Sequence, residues 1–371
     1  MTSPATLRRN TYIALLFLLP NLLGFLVFTF GPIIISLAGS FTTWSLRPSV
    51  ALRFIGIQNY TDLFSDPNFY FYLYNTLYML LGLPIGIAGS LGLAVFLSQK
   101  LDLKNPLAGK RIALVAAIFS AVVSGFLFFI GMGSTAFLFF ALGMITAAGI
   151  YFGSIGYRTF FYLPNFTAGA GTILLWMQLY NPNFGLINQT IDAFNQLTGL
   201  SITQPGWLTS TKSLLGFLPF PDFFNNGGFG LGAREAIMIM GIWASIGGNN
   251  MILYLAGISN IPPELYEASD IDGANAWQRF RYITFPQLAP TTFFIVVMGI
   301  IGGLQGGFEQ ARLMTEGGPA GVTTTLSYYI YVQGFERLDL GYGAAVAWVL
   351  FIIIMGVTLI NWHYGKNSSG E

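Results

Sequence analysis

Seven stretches of at least 26 residues contain no Asp, Glu, Lys or Arg: Asn10–Leu46, Pro67–Gln99, Ile112–Tyr157, Thr159–Ile191, Ala236–Pro263, Tyr282–Phe308 and Leu340–Gly365. A helix needs about 20 apolar residues to cross the hydrocarbon core of a bilayer. Six of the runs have room for one crossing each. Ile112–Tyr157 is long enough for two, with Gly131-Met132-Gly133-Ser134 near its middle as the turn. The expectation is an all-α polytopic membrane protein with eight spans, which places both termini on one side. A membrane β-barrel is excluded, because its strands alternate in short segments instead of running continuously apolar.

Composition agrees. Of 371 residues, 16 are basic and 15 acidic, or 8% charged, against about 25% in soluble chains. Apolar residues make up 54% and aromatics 16%, which excludes intrinsic disorder. A net charge of +1 gives no electrostatic basis for binding nucleic acid. No cysteine is present, so disulfides, thiolate metal sites and iron–sulfur clusters drop out. A single histidine, His363, makes His-based triads and zinc sites improbable. The run after Arg8 and Arg9 is too long for a signal peptide and is read as a retained first span.

Basic residues set the orientation. With the N-terminus inside, Arg8, Arg9, Lys100, Lys104, Lys110, Arg111, Arg158, Arg279, Arg281 and Lys366 are cytoplasmic. Arg47, Arg53, Lys212, Arg234, Arg312 and Arg337 are then outside, and the larger set favours N-in and C-in. Between them, Asp192–Arg234 is read as an external loop, since Ser213–Phe224 is short and interrupted by Pro219 and Pro221.

One connection is distinctly polar. After Pro262-Pro263, which suit a helix start, Glu264 and Glu267 fall near the first turn, where the helix dipole favours carboxylates. Gly273 can close this helix in a left-handed cap, and a second short helix from Ala274 to about Tyr282 carries Trp277, Phe280 and Arg281. Small residues on the first helix would admit another protein's surface. An ordinary interfacial loop fits the same residues equally well.

The spacing of this segment resembles the EAA loop of binding-protein-dependent ABC importers: Glu267-Ala268-Ser269, three residues, Gly273, nine residues, Ile283-Thr284-Phe285-Pro286. Ser269 and Phe285 depart from the family's Ala and Leu. Further likeness to the carbohydrate branch, the maltose- and glycerol-phosphate-type permeases, lies in Leu18-Leu19-Pro20, Phe54-Ile55-Gly56-Ile57-Gln58-Asn59-Tyr60 and Asn75-Thr76-Leu77. Phe160-Phe161-Tyr162-Leu163-Pro164, Tyr180-Asn181-Pro182-Asn183-Phe184-Gly185 and Met314-Thr315-Glu316-Gly317-Gly318-Pro319 extend it.

The resemblance implies a six-helix importer core carrying two insertions. Its segments would be 1–104 with spans one and two, 105–156 as an inserted hairpin (spans three and four), and 157–365 with spans five to eight. The last contains the external loop 181–234, enlarged at about Ser213–Gly232, and the cytoplasmic loop 259–290; residues 366–371 form a tail. It further implies ATPase coupling through Glu267, Ala268, Ser269, Asp272, Gly273, Ile283 and Pro286. The implied partners are a second homologous permease, a dimer of ATPase subunits holding ATP and Mg, and an extracytoplasmic sugar-binding protein. The implied setting is the cytoplasmic membrane of a bacterium or archaeon. The chain itself would hold no cofactor, since no Walker-type Gly-rich Lys-Ser/Thr motif occurs in it.

For a sugar path the useful side chains are amides, hydroxyls and flat rings. Ser245 and Asn249 are spaced i, i+4 in the sixth span, Asn250 adjoins them, and Gln305 and Phe308 are spaced i, i+3 in the seventh. The same amides suit helix–helix hydrogen bonding. Gly299, Gly302, Gly303, Gly306 and Gly307 read first as close-packing positions. Glu309 and Glu235 sit at outer ends of spans, Glu309 more readily solvated than in a pathway. No Asp/Glu/His relay crosses the membrane, so a proton-driven pump or antiporter has little to work with; the alternative is a secondary transporter or channel working without an ATPase. An embedded enzyme is more remote still, for lack of clustered acids, bases or metal ligands.

Overall fold

The computed structural model describes residues 4–98, 106–129, 131, 133–162, 165, 169–218 and 227–368. Lys100, Lys104, Met132, Leu163, Pro164, Pro219 and Pro221 lie outside the described residues. Every regular element among the described residues is helical, with only isolated bridges such as Thr42 to Phe54 resembling strand pairing. The helices in order are α1 (Pro4–Phe25), α2 (Gly31–Gly39), α3 (Gln58–Ser65), α4 (Pro67–Met79), α5 (Gly82–Ser98), α6 (Pro106–Phe129), α7 (Gly133–Tyr162), α8 (Ala170–Leu179) and α9 (Leu186–Thr198). There follow α10 (Ala233–Gly247), α11 (Asn249–Ser259), α12 (Pro263–Ile271), α13 (Ala276–Arg279), α14 (Phe285–Gln287), α15 (Ala289–Gln305), α16 (Phe308–Gln310), α17 (Leu326–Tyr331) and α18 (Leu340–Ser368).

Among the described residues, seven helical stretches are long and apolar enough to cross a membrane: Ile13–Gly39, Pro67–Ser98, Lys110–Phe129, Thr135–Gly153, Ala233–Ser259, Ala289–Thr315 and Leu340–His363. The run Thr159–Ile191 behaves differently from expectation. Within it α7 ends at Tyr162, and α8 spans only Ala170–Leu179 before the chain turns at Asn181-Pro182. Asn181 Oδ1 accepts the backbone N–H groups of Asn183 (2.9 Å) and Phe184 (3.2 Å), and that turn ends the helix early. On its own α8 is shorter than a bilayer requires.

The chain divides into two compact units. The first comprises residues 1–69 and 329–353. Its α1 and α2 join through a π turn, Leu26–Phe30, which precedes Pro32, a residue without an N–H. Phe17 and Phe28 are 82% and 81% exposed, so this span offers its side chains to lipid or to another protein. Below it Asn59 Nδ2 donates to Ser40 O (2.8 Å) and Thr42 O (3.1 Å), which ties α3 to the end of α2. Tyr329 donates to Asp66 (2.9 Å), and burial raises this phenol's pKa, keeping it a donor.

The second unit, residues 70–328 and 354–371, holds most of the membrane helices. Its seam is glycine. A Cβ on Gly82 would come within 2.8 Å of Met238 Cγ, on Gly86 within 2.5 Å of Ser245 Oγ, and on Gly89 within 2.6 Å of Ile246 Cγ1. Spaced i, i+4, i+7, these three let α5 lie directly on α10, as small residues do between membrane helices. Gly299 and Gly303 likewise receive Leu83 and Leu80. The close-packing role expected for the seventh-span glycines therefore holds at these two positions.

The expected hairpin forms from α6 and α7, turning at Gly131 (φ +86°). Ser120 Oγ donates to Phe139 O (3.0 Å) and Ser124 Oγ to Ala136 O, so its two helices are joined by hydroxyl-to-carbonyl bonds as well as by apolar contact. Outward, Leu114, Val122, Phe126 and Phe137 are exposed.

The glycine seam is open to test. Gly86→Val should destabilise the chain by about 1–3 kcal/mol, the usual penalty of overpacking, whereas Gly92→Ala, which meets nothing within 4 Å, should be neutral. Thermal unfolding of the detergent-solubilised chain, followed by circular dichroism, separates the two; equal midpoints would refute the seam.

Candidate functional site

Among the described residues, spans of the second unit are interrupted between α4 and α5, between α10 and α11 and between α15 and α16, and the last two breaks fall at glycine. Between α10 and α11 the chain leaves helical geometry at Gly248 (φ −82°, ψ −146°). The carbonyl of Phe161 approaches so closely that a Cβ on Gly247 would lie 2.0 Å from its oxygen. Between α15 and α16 the break falls at Gly306 (ψ −173°) and Gly307 (φ +82°). Gly307 takes a left-handed conformation that side chains avoid. Irregular backbone at membrane depth is tolerated where it is buried in protein or lines a cavity. Here the Gly306-Gly307 break lines a cavity, and the Gly248 break ends a helix, α10, that lines the same cavity as far as Ser245.

One cavity, of 280 Å³, is lined by Ser245, Gly302, Gly306, Gly307 and Gln310 among others. An adjoining one of 200 Å³ is lined by Asn165, Thr172, Trp243, Glu309 and Gln310. They share Met240, Gly241 and Gln310. A third, of 610 Å³, is walled almost wholly by aliphatic side chains such as Leu83, Ile87, Val296 and Ile300 and offers nothing to a hydroxylated molecule.

The breaks correct the helical spacing expected from sequence. Ser245 and Asn249 do not share a face, because α10 ends at Gly247 and α11 starts anew. Asn249 Oδ1 instead accepts from Tyr162 Oη (3.3 Å) and Asn165 Nδ2 (3.4 Å), while Asn250 Nδ2 donates to Ser245 Oγ (3.3 Å). Gln305 and Phe308 are likewise parted by Gly306-Gly307. The Gln305 carbonyl accepts from Ser327 Oγ (2.7 Å), and the Phe308 ring lies 6.3 Å from Tyr328. Of the expected path residues only Ser245 lines one of the two polar cavities.

The polar loop forms much as its residues suggest. Pro263 opens α12, Glu264 is in its first turn, and Gly273 follows its end at φ +73°. Asn275 then caps a second helix, accepting Gln278 N (2.9 Å) while Gln278 Oε1 accepts Asn275 N (2.8 Å). That cap starts the second helix at Ala276, not Ala274, and it runs through a π turn, Phe280–Thr284, into α14 with Pro286 in its first turn. Asp270 and Arg279 pair at 2.6 Å and brace the two arms. Glu267, Ala268, Asp272 and Gly273 are exposed, Ile283 is half-buried, and Ser269 turns inward, donating to Tyr266 O (2.7 Å). The result is a rigid, solvent-facing elbow.

No family model matches the chain. Full-length relatives do. A probable ABC transporter permease protein of Pyrococcus horikoshii is 30% identical over 94% of this chain and 95% of its own length. The arabinooligosaccharides transport system permease protein AraP of Bacillus subtilis is 31% identical over 96% of this chain and 89% of its own. The chain belongs to the ABC transporter permeases.

It is a multi-pass membrane protein of that family, and its substrate-named relatives fall in the carbohydrate branch. They include the sn-glycerol-3-phosphate transport system permease protein UgpA of Pectobacterium atrosepticum, 27% identical over 98% of the permease and 97% of its own length. The fold matches a chain in the crystal structure of a bacterial ABC transporter involved in the import of the acidic polysaccharide alginate. That match has a TM-score of 0.65 at 21% identity and covers 97% of the permease and 96% of the other chain.

Sequence reasoning passed over the most buried charges in the permease. Glu235 is fully buried, not at a wet edge. It accepts Gly232 N (3.0 Å), Leu214 N (2.9 Å) and the Tyr78 hydroxyl. Arg234, also buried, donates from Nε to Asn75 Oδ1 (2.9 Å) and Val322 O (3.1 Å), its guanidinium within 5.5 Å of the Phe71, Tyr74 and Tyr78 ring centroids. Asn75 Nδ2 donates on to Gly321 O (2.9 Å) and Thr324 O (3.0 Å), and Thr76 Oγ1 accepts Leu326 N (2.9 Å). This clamp gathers α4, the start of α10, the loop before it and the segment after Pro319. The available signal was a glutamate three residues after Gly232, placed to accept the backbone N–H that starts the helix.

Replacing Glu235 with Ala strands donors from three segments. The expected loss is about 3 kcal/mol, given roughly 1–3 kcal/mol per buried group left unsatisfied. The check is the unfolding midpoint together with faster proteolysis of the 199–232 segment; wild-type values for both would deny the clamp its role.

Proposed function

We propose that the permease is the membrane-spanning subunit of an ATP-driven importer for a sugar, an oligosaccharide or sugar derivative, in the cytoplasmic membrane of a bacterium or archaeon. A second homologous permease completes the translocation path. ATP and Mg are held by a dimer of partner ATPase subunits, and an extracytoplasmic binding protein delivers the sugar. The fold neighbours include a bacterial alginate ABC transporter in complex with an alginate pentasaccharide-bound periplasmic protein, and an assembly of the same kind fits this chain. The observation that carries the reading is full-length relationship to AraP at 31% identity, joined to the exposed elbow of α12.

In this reading the ATPase subunits grip α12 through Glu267, Ala268 and the Gly273 bend, with Asp272 beside it. Ser269, Ile283 and Pro286 set the elbow's angle to α15. Closure of the ATPase dimer moves the elbow, and the interrupted spans switch the cavity between the two sides, with affinities that differ between states. The path residues are Ser245, Asn249, Asn250, Gln305 and Phe308, together with the side chains of the polar cavities. The hairpin at 105–156 packs outside the six-helix core. Eight crossings are completed by α8 with its flanking residues, which leaves both termini and the elbow in the cytoplasm.

Orientation is directly testable because the chain lacks cysteine. In intact cells an impermeant thiol reagent should label Gln58→Cys and Gly206→Cys but not Gly273→Cys. Labelling of the last from outside would reverse the topology.

Coupling has its own test. Gly273→Val forces a β-branched residue into a left-handed conformation costing about 1–2 kcal/mol, and Glu267→Lys reverses an exposed charge on α12. Both variants should insert normally yet bind the ATPase subunits weakly, or hydrolyse ATP without moving sugar. Pull-down, ATPase and uptake assays on the reconstituted complex read this out. Wild-type uptake in both would remove the coupling role, and uptake by the lone chain in liposomes would favour a transporter needing no ATPase.

A further inference from the structure

Trp243 is 41% exposed although it lies inside the span Ala233–Ser259. Behind it stands an aromatic ladder. Trp176 meets Trp243 edge-on at 5.5 Å, Tyr180 lies 5.2 Å from Trp176, and Trp207 lies 5.1 Å from Tyr180. Those three rings are buried. Tyr180 is fixed by donating to Ala236 O (2.7 Å) and Trp207 by donating to Asn188 Oδ1 (2.8 Å). The indole of Trp243 is thus braced, and its uncovered part lines the 200 Å³ cavity.

Beside the apolar Ile173, Met240 and Ala244, the cavity's polar lining residues are Asn165, Thr172, Glu309 and Gln310. Thr172 Oγ1 is buried with no hydrogen-bond partner among the described residues, and an incoming hydroxyl would relieve that deficit. Glu309 is exposed, as expected of a solvated residue, and it also lines this cavity. Among the described residues it is the one charged side chain lining either polar cavity. Arg312, the nearest cation along its helix, has its guanidinium 5.9 Å from the Phe308 ring centroid and does not line them.

A flat ring beside hydroxyl acceptors suits a sugar ring, whose C–H face is apolar and whose rim carries hydroxyls. A carboxylate accepts such hydroxyls strongly. It repels a second carboxylate or a phosphate brought within contact distance.

We propose that Trp243 and Glu309 form a subsite for an uncharged sugar ring, stacked on the indole with its hydroxyls on Glu309, Gln310, Asn165 and Thr172. The permease then carries neutral sugars in preference to those bearing carboxylate or phosphate. This rests on the sugar-importer reading above. It also separates the chain from relatives named for an anionic cargo such as sn-glycerol 3-phosphate.

The experiment uses the complete complex in proteoliposomes, with maltotriose, arabinotriose, trigalacturonate and sn-glycerol 3-phosphate as probes. Wild type should import a neutral probe and neither anion. On that neutral probe, Trp243→Phe, which keeps a flat face, should stay within about threefold of wild type, and Trp243→Ala and Glu309→Ala should each fall about tenfold, the scale of one ring or charged contact. ATPase activity and subunit assembly should persist in all three. Import of an anion as fast as any neutral probe would overturn the charge selection. Equal losses in Trp243→Phe and Trp243→Ala, or no loss in Trp243→Ala and Glu309→Ala, would overturn the subsite. Failure of an assembled, ATP-hydrolysing wild-type complex to import any probe would overturn the sugar reading itself, and the subsite with it.

Discussion

Lipid offers no hydrogen bonds, so every backbone N–H and C=O at membrane depth must find a partner inside the protein. That demand makes the chain helical, and it limits where a helix can stop. Of the two mid-span interruptions at glycine, Gly306-Gly307 lines a cavity walled by other helices, and Gly248 ends the helix that brings Ser245 to the same cavity. An open carbonyl or amide is tolerable there because polar side chains, or a polar passenger, can meet it. The interruptions and the cavities are therefore one feature. Remove the cavities and the breaks would be too costly; close the breaks and the cavities would have only side chains to offer.

Glycine makes the arrangement possible in two separate ways. At Gly82, Gly86 and Gly89 its value is the missing Cβ, which lets α5 approach α10 to backbone distance. At Gly307 and Gly273 its value is a left-handed backbone, which ends one helix and aims the next. The first use is packing and the second is direction. They meet at Gly86, where the Ser245 hydroxyl is held against the seam and so placed at the cavity wall.

The fold was legible in proportion to the length of its apolar runs. Seven crossings, the hairpin turn at Gly131 and the elbow of α12 follow from hydropathy, Gly-Pro punctuation and capping residues, all local signals. The elbow was clearest because Pro263, Gly273 and the Asn275-Gln278 box each specify their own conformation. In the Thr159–Ile191 run, hydropathy counts apolar residues and ignores the Asn181-Pro182 turn, whose side-chain hydrogen bonds end α8 after ten residues.

The site was far less legible, for a definable reason. Spacing rules such as i, i+4 assume an unbroken helix, and function here sits where the helix breaks. Ser245 with Asn249, and Gln305 with Phe308, share a face only on paper. The side chains that converge on the second cavity come from α8, α10, α16 and the stretch around Asn165, segments far apart in sequence with no common period. Glu309 looked peripheral because it is the first charge after an apolar run, which ordinarily marks the water boundary. The Gly306-Gly307 break restarts the helix just before it, so a residue that is exposed, as hydropathy expects, also lines a cavity. In a chain this poor in charge, an interrupted helix turns the end of an apolar run into a candidate for the path.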